Sequence, residues 1–499
     1  PAKGGNAAQK REHDKRIGAG TMSRSGAKCP CCGAIMTMED IRLEGKAGRL
    51  ESAMTAVVVD GEKGKEYRLP HNHEIEMAEA AEKSLKEVFE KIPYGLPEEP
   101  LPTAEALGFR VPLYGFDQWK KLFTPRQLLA LGTFVKETRE GRSFHNDYPE
   151  EWREALFAYS TCIISRTADY MAQMCVWENG AEEVKHMFMR WALPITWDFA
   201  EANPFTPSDR FFVGGTKSAG RVLTDLHEGS WSGTFAPKIL NRSAIIGGDD
   251  TYDLVFTDPP YYDAIPYSDL MDFFYLWLRR SLADLSPEYS RNFNNALSPK
   301  WDNETRDGEL IDDSSRHAGN GQESKKIYED GMYRSFVAAY NRTAPQGHLV
   351  VVFANKKPDA WETLVAAIIR AGFCVDGSWP IASEMPGGLR NLGRASLSSS
   401  VWLVCKKRPA DARPGWDNQV LEEMRVNIKE RLREYWDAGI RGPDFVWAAT
   451  GPAMEAYSRH PIVKKANEPG PMTVNEFLIH VRRMVVDFVV GRVLSGDHE

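Results

Sequence analysis

The sequence contains no long run of uncharged apolar residues. Because a transmembrane helix needs about 20 predominantly apolar residues, this absence predicts a protein without membrane spans. The longest apolar stretches, such as residues 349–354, have the length of a strand instead. Hydrophobic residues still make up 42% of the 499 residues and charged residues 26%. We therefore expect folded domains rather than a disordered chain.

An excess of positive charge is also missing, since the formal net charge is −8 at pH 7. A globally basic domain is the simplest signature of a nucleic-acid-binding protein, and this composition excludes it. A local basic groove is not excluded, because residues 1–30 carry seven Lys or Arg against two acids.

Cysteine pairs are scarce. The seven cysteines are odd in number and most stand alone in apolar surroundings, which favours a reduced, cytoplasmic protein over a disulfide scaffold. Cys29 and Cys32 form a Cys-x-x-Cys knuckle that has no second copy in the chain, whereas structural zinc needs four ligands. His71 and His73 could complete the set, but alternate histidines in a polar segment are weak evidence. The sequence therefore offers half of a zinc site.

Changes in composition divide the chain into five regions. They are a flexible basic lead-in (1–21), a zinc-ribbon-like β module (22–73), a mainly helical accessory region (74–242), an α/β core (243–408) and a C-terminal helical region (409–499). In the core, apolar strands alternate with helices, which is typical of an α/β fold with a parallel sheet covered by helices.

The most informative segment is Asp258, Pro259, Pro260 and Tyr261, which follows the apolar run 253–257. In open α/β sheets, ligands bind beyond the carboxyl ends of strands, where these residues would lie. The two prolines lack N–H donors, so the turn offers mainly acceptors: the carboxylate and the main-chain carbonyls. A plain strand-ending turn is the alternative interpretation, since Asp-Pro is common in turns.

An array of acceptors suits an exocyclic amino group, which has two hydrogens to donate. Such a nitrogen is a poor nucleophile because its lone pair is delocalised into the ring. Hydrogen bonds to Asp258 and to the Pro259 carbonyl would favour a more tetrahedral nitrogen that can attack a sulfonium methyl group in line. Tyr261 would offer a flat face on which a planar base can stack.

This motif resembles that of the amino-methyltransferases that use S-adenosylmethionine, and its Asp form resembles the DNA adenine-N6 enzymes. Cytosine-N4 enzymes more often begin with Ser and glutamine-modifying enzymes with Asn. The continuation through residue 280 looks like the large bacterial and archaeal adenine-specific DNA methylases that contain a zinc ribbon. Other stretches resemble the same family, so the likeness covers nearly the whole chain: residues 26–33, 44–49, 123–128, 197–205 and 436–442.

The resemblance implies a class I, Rossmann-like sheet, with S-adenosylmethionine and zinc as cofactors and DNA as partner. In that family the Gly-rich cofactor motif lies upstream of the zinc ribbon. We therefore expect an incomplete sheet here, with the cofactor motif on a missing N-terminal segment or a partner subunit. Within the chain, Gly214, Gly215 and Gly220 are the best candidates for a cofactor loop. About 40 residues separate them from Asp258, which is too few for three strands and their helices, and residues 385–388 and 450–452 are weaker still.

Residues near the motif could contact the substrate or the DNA backbone. The candidates for substrate binding are Tyr262, Tyr267, Arg279 and Arg280, and those for nucleic-acid contact also include Arg291, Lys300, Lys325 and Lys326. Two other functions stay open. One is methyl transfer to a different amino acceptor, such as RNA adenine, cytosine N4 or a protein amide. The other is a truncated DNA-binding subunit that is inactive alone.

Overall fold

The chain forms two compact units in this computed structural model, one of residues 1–235 and 266–299 and one of residues 236–265 and 300–499. The structure describes residues 12, 20–23, 25–142, 147–189, 192–229, 237–263, 265–355, 357–382, 399–440 and 442–494. Two sequence predictions fall outside these residues, namely most of the lead-in at 1–21 and the weak candidate loop 385–388. In the described ranges, no helix has both the length and the apolar character needed to cross a membrane.

The first unit begins with small β elements. Strands β1 (Met22–Ser23), β2 (Gly26–Lys28) and β3 (Ile35–Thr37) form an antiparallel sheet, and β4 (Val57–Gly61) pairs with β5 (Gly64–Arg68) in a hairpin. Helix α1 (Met38–Lys46) lies between the two sheets in sequence. It begins at a capping box in which the Thr37 hydroxyl and the Asp40 carboxylate each accept a backbone N–H.

The rest of the first unit is mainly helical. Its helices are α2 (Asn72–Phe89), α3 (Pro125–Glu140), α4 (Glu150–Asp169), α5 (Phe212–Glu228), α6 (Tyr267–Leu282) and α7 (Pro287–Asn292). A short hairpin of β6 (Val176–Glu178) and β7 (Glu183–Lys185) follows α4. Helix α3 begins at Thr124-Pro125, where the Thr124 hydroxyl accepts the Gln127 N–H and proline occupies the first helical position.

Helix α4 leaves aromatic side chains of its first half exposed. Trp152 is 67% exposed and Tyr159 is also exposed, whereas Ile163 is buried. The buried residues Phe157 and Ile164 belong to a different face of the helix. Aromatic spacing alone cannot tell a core stripe from an exposed one.

The second unit is built on a four-stranded sheet in the order β10–β11–β9–β8. The strands are β8 (Tyr252–Thr257), β9 (Thr343–Phe353), β10 (Phe373–Ala382) and β11 (Ser399–Lys407). β8 pairs parallel to β9, while β11 pairs antiparallel to both β9 and β10. The chain thus has the expected α/β architecture, although the sheet is mixed rather than wholly parallel. Helices α8 (Gly321–Arg342) and α9 (Pro358–Arg370) flank β9 in sequence.

The C-terminal helices share one core with this sheet. They are α10 (Asp417–Asp437), α11 (Gly442–Ala448), α12 (Thr450–Ser458) and α13 (Val474–Leu494). Leu349 and Leu403 of the sheet, Trp361 of α9 and Phe477 of α13 are fully or almost fully buried in the same cluster. Residues 445–449, whose apolar run would also suit a strand, lie in and just after α11. Two short strands, β12 (Gly415–Trp416) and β13 (Val463–Lys464), pair parallel beside the helices.

The opposite face of the sheet is apolar and exposed. Leu254 and Phe256 of β8 are 57% and 52% exposed, and Trp379 of β10 is 55% exposed. Phe256 contacts Trp402 of β11 edge to face, with ring centroids 5.1 Å apart, and Trp402 pairs with Trp379 across the strands. These four side chains are called the open face below.

Candidate acceptor site

The turn of Asp258 to Tyr261 begins directly after β8, at the carboxyl end of the strand. Alternation of Leu254 and Phe256 with the partly buried Val255 suits a strand, and the last paired residue is Thr257, opposite Val351 of β9. Two prolines cannot donate to a strand ladder, so pairing ends here and the chain turns. Asp258 is exposed and Pro259 is buried.

The side chain of Tyr261 is hydrogen-bonded to the carboxylate of Asp258. Its hydroxyl donates to Asp258 Oδ1 over 2.7 Å. Its half-buried ring meets Phe353, the last residue of β9, edge to face with centroids 5.6 Å apart. A carboxylate offers about four acceptor positions, so this bond leaves Asp258 able to accept from a ligand as well.

The carbonyls after Pro259 are held from within the second unit. Pro260 accepts from the Tyr328 hydroxyl (2.7 Å), Tyr261 from the Asn355 amide (3.1 Å) and Tyr262 from the Asp312 N–H (3.2 Å). For the Pro259 carbonyl, no donor is found among the residues that the structure describes. The exposed Asp258 carboxylate and the adjacent Pro259 carbonyl are therefore two acceptors that this internal bonding leaves for a ligand.

Asn355 is a site residue that the sequence analysis missed. It is buried two residues beyond the end of β9, and its Oδ1 accepts the Lys357 N–H over 2.8 Å. Its main-chain carbonyl accepts from the indole N–H of Trp361 over 2.9 Å, and the Trp361 ring stacks on Trp447. The available signal was a polar residue just after the strand that neighbours β8, since such positions meet at one edge of a parallel pair.

Tyr262 was predicted to contact the substrate, and the structure corrects this. Its ring is buried in the core, edge to face with Tyr328 at 5.1 Å between centroids. Burial, with the Asp312 carboxylate second, raises the pKa of the Tyr262 hydroxyl above its usual range. At the rim of the turn, Lys357 forms an ion pair with Asp263.

Arg279 and Arg280 were also predicted to contact substrate, but both are buried within the first unit. Arg280, with a side chain 0% exposed, donates to the carbonyls of Gly95 and Leu96 and to the Glu99 carboxylate. Burial lowers the pKa of the Arg280 guanidinium, and Glu99 opposes that shift. Arg279 lies over the ring of Tyr94, 3.4 Å from its centroid. These arginines therefore hold the fold and are not available to a nucleic acid.

The other candidates for substrate or DNA contact have mixed positions. Tyr267 is exposed at the first position of α6, and Arg291 is exposed in α7, both within the first unit. In the second unit, Lys326 is exposed, while Lys300 and Lys325 are partly buried. None of these placements tests a contact with DNA.

The candidate cofactor loop of Gly214, Gly215 and Gly220 is not a loop. All three lie within helix α5, where a Cβ on Gly214 would come within 2.0 Å of the Ser208 carbonyl oxygen. A Cβ on Gly215 would meet Ile163 at 2.6 Å, so these two glycines permit close helix packing. Residues 450–452 likewise begin helix α12, and Gly451 packs against Ser378. Neither of these two candidate segments therefore forms a Gly-rich turn that could hold the methionine end of S-adenosylmethionine.

Cys29 and Cys32 lie in the tight turn between β2 and β3. The Cys29 N–H donates to the Ala34 carbonyl, and the Gly33 N–H returns to the Cys29 carbonyl over 2.9 Å. Backbone N–H groups of Cys32 and Cys31 lower the pKa of the Cys29 thiol. Across the described ranges, however, no three His, Cys, Asp or Glu side chains are grouped to hold a metal. His71 instead precedes α2, where its N–H donates to Glu74 over 2.8 Å.

No protein-family model, curated protein or solved structure matches this chain. The acceptor geometry at the end of β8 is therefore the main basis for a functional assignment.

Proposed function

We propose that this chain carries the methyl-acceptor site of a DNA adenine-N6 methyltransferase. One observation carries the proposal: an exposed Asp258 carboxylate and a Pro259 carbonyl without a donor among the described residues follow the carboxyl end of a parallel strand, while the carbonyls of the next three residues are bonded internally. An adenine amino group has two hydrogens and needs two such acceptors. The base would reach them after flipping out of the duplex.

The residues would act by positioning and by polarising the amino group. Hydrogen bonds to Asp258 and Pro259 draw the amino hydrogens to one side and leave the nitrogen lone pair directed away from them. The bond between Tyr261 and Asp258 orients the carboxylate before the base arrives. No covalent intermediate on the protein is required.

The proposal assigns S-adenosylmethionine to another segment or subunit, since the candidates Gly214, Gly215 and Gly220 lie within a helix and not in a loop. The edge position of β8 supports this assignment, because its ladder partner among the described strands is β9 alone. Parallel sheets are usually covered on both faces, yet the open face presents Leu254 and Phe256 to solvent. Further strands beside β8, with helices over the open face, would complete such a sheet. Zinc would similarly need ligands from outside the described residues to join Cys29 and Cys32.

The alternatives are other amino acceptors, namely RNA adenine, cytosine N4 or a protein amide, and a DNA-binding subunit inactive alone. A pair of hydrogen-bond acceptors suits each of these amino groups. The exposed strand edge favours a chain that needs a partner segment for activity.

The test is transfer of a labelled methyl group from S-adenosylmethionine to unmethylated duplex DNA, followed by digestion to nucleosides. It is run on this chain alone and on the chain supplemented with the segment that carries the cofactor loop. We expect N6-methyladenine from the supplemented protein. If the label appears in another nucleoside or in protein, that group is the methyl acceptor instead of adenine. If neither sample becomes labelled, the proposal is contradicted.

Substitution of Asp258 tests the mechanism. Asp258→Ala removes one acceptor, and we expect the rate of transfer to fall by about a hundredfold or more. The matched control is Asp253→Ala, which removes an exposed carboxylate from β8, the strand that precedes the turn. Full activity of Asp258→Ala would refute the assigned role.

A further inference from the structure

Tyr328 is a buried side chain of helix α8 that contacts the turn of Asp258 to Tyr261, called the acceptor turn below because of its hydrogen-bond acceptors. It is 1% exposed, and its hydroxyl donates to the Pro260 carbonyl over 2.7 Å. The same oxygen accepts the N–H of Tyr262 over 3.2 Å. One hydroxyl therefore bonds two backbone groups on either side of Tyr261, whose own hydroxyl orients Asp258.

The backbone at Tyr262 needs such support. Its φ of +63° lies in the left-handed region, which a bulky residue other than glycine seldom adopts. Conformations of this kind persist where surrounding contacts hold them, and they concentrate at functional sites. The N–H of this residue is shared between the Tyr328 hydroxyl and the Pro260 carbonyl, which lies 3.0 Å away, and the Tyr328 ring packs edge to face on the Tyr262 ring.

The hydroxyl keeps its proton over the whole physiological range. Burial raises the pKa of Tyr328 above its usual value. The group therefore remains a donor toward Pro260 while its oxygen accepts from Tyr262. A phenylalanine at this position would keep the ring packing and lose the bond to the Pro260 carbonyl, while the Tyr262 N–H would retain the Pro260 carbonyl as its acceptor.

We propose that Tyr328 is a positioning residue of the acceptor site, holding the Pro260–Tyr262 backbone so that Asp258 and the Pro259 carbonyl face the same amino group. This inference rests on the proposed function for its catalytic consequence. Its structural part, control of the turn by one hydroxyl, is independent of which amine is methylated.

The first test is amide hydrogen exchange in Tyr328→Phe, followed on peptides that cover residues 258–263. Loss of one net hydrogen bond, about 1 kcal/mol, corresponds to about fivefold faster exchange. We expect this increase in that segment and not throughout the second unit. The matched control is Tyr340→Phe on the same helix, whose ring packs on Phe373. Unchanged exchange at 258–263, or an equal increase across the whole unit, would overturn the proposal.

The second test is the rate of methyl transfer. We expect Tyr328→Phe to lower kcat by about tenfold or more with little change in KM for DNA, because displacement of the acceptors by a fraction of an ångström disturbs the reacting geometry. If the unsubstituted protein transfers methyl groups and Tyr328→Phe does so at the same kcat, the positioning role fails and the proposed function stands. If the unsubstituted protein transfers none, the proposed function fails, and the exchange experiment still decides whether Tyr328 holds the turn.

Discussion

Asn355, just after β9, is hydrogen-bonded to the turn that follows β8. Its replacement by aspartate tests this hydrogen bond, because only the amide NH2 group is exchanged for an oxygen. Asn355→Asp exchanges the amide donor for an oxygen that faces the Tyr261 carbonyl. The second oxygen can still accept the Lys357 N–H. The substitution therefore removes one hydrogen bond and places two acceptors against each other in a buried site.

The expected cost follows from these contacts. A lost hydrogen bond costs about 1 kcal/mol, and an unsatisfied buried acceptor costs about 1–3 kcal/mol. The charged interaction with the Lys357 N–H offsets part of this, so we expect the free energy of unfolding to fall by about 2–3 kcal/mol at pH 7. In the methyl-transfer assay, the loosened Tyr261 carbonyl should also lower the rate.

The loss of stability in Asn355→Asp should depend on pH. Burial raises the pKa of the introduced carboxyl above the value of about 3.9 found in an unfolded chain. A loss of 2–3 kcal/mol corresponds to about two pKa units, so the deficit develops between about pH 4 and pH 6. Below this window the carboxyl is protonated and can again donate to Tyr261, whereas above it the ionised form costs the full amount.

Urea unfolding followed by circular dichroism between pH 4 and pH 8 measures this deficit. The matched control is Asn418→Asp, which makes the same chemical change at an exposed position of the same unit. Equal stability of Asn355→Asp and the unsubstituted protein at pH 7 would refute the hydrogen bond from Asn355 to the Tyr261 carbonyl. A loss of stability of the same size at every pH would refute it too.

Two further predictions concern the first unit. Glu99→Ala should lower the free energy of unfolding by about 3–5 kcal/mol because it leaves Arg280 charged and buried, whereas Glu98→Ala, at an exposed pair, should cost less than about 1 kcal/mol in the same urea titration. Gly214→Ala should lower the melting temperature because its Cβ would overlap the Ser208 carbonyl, while Gly220→Ala, in open space on the same helix, should raise it. Equal effects within either pair would contradict the packing described.

The acceptor turn could be located from the sequence because its signal is local. An apolar run followed by Asp-Pro-Pro-Tyr marks a strand, its end and the loss of backbone donors within nine residues. The same holds for the helix that begins at Thr124, where capping and proline act over one turn. Both features depend on neighbours along the chain and not on distant packing.

Burial could not be predicted in the same way. Arg279 and Arg280 are of a residue type that usually lies at the surface. They are buried here because the carbonyls of residues 94–96 and the Glu99 carboxylate, about 180 positions away, bind them. Gly214 and Gly215 look like a loop motif until the approach of Ser208 and Ile163 is known. In each case the residue type is compatible with two environments, and the tertiary partner decides between them.

Tyr328 and Asn355 show why the supporting residues of a site are harder to find than its acceptors. Neither belongs to a sequence motif. Tyr328 is a tyrosine within a helix, and Asn355 is a polar residue after a strand whose pairing with β8 has to be known before the position stands out. Their role arises because the sheet places β9 beside β8 and the shared core includes both Tyr328 and Tyr262. The carbonyls of Pro260 and Tyr261 would otherwise compete with the Pro259 carbonyl as acceptors. Internal bonds to those carbonyls therefore select which oxygens remain for a ligand, and this selection depends on the fold as a whole.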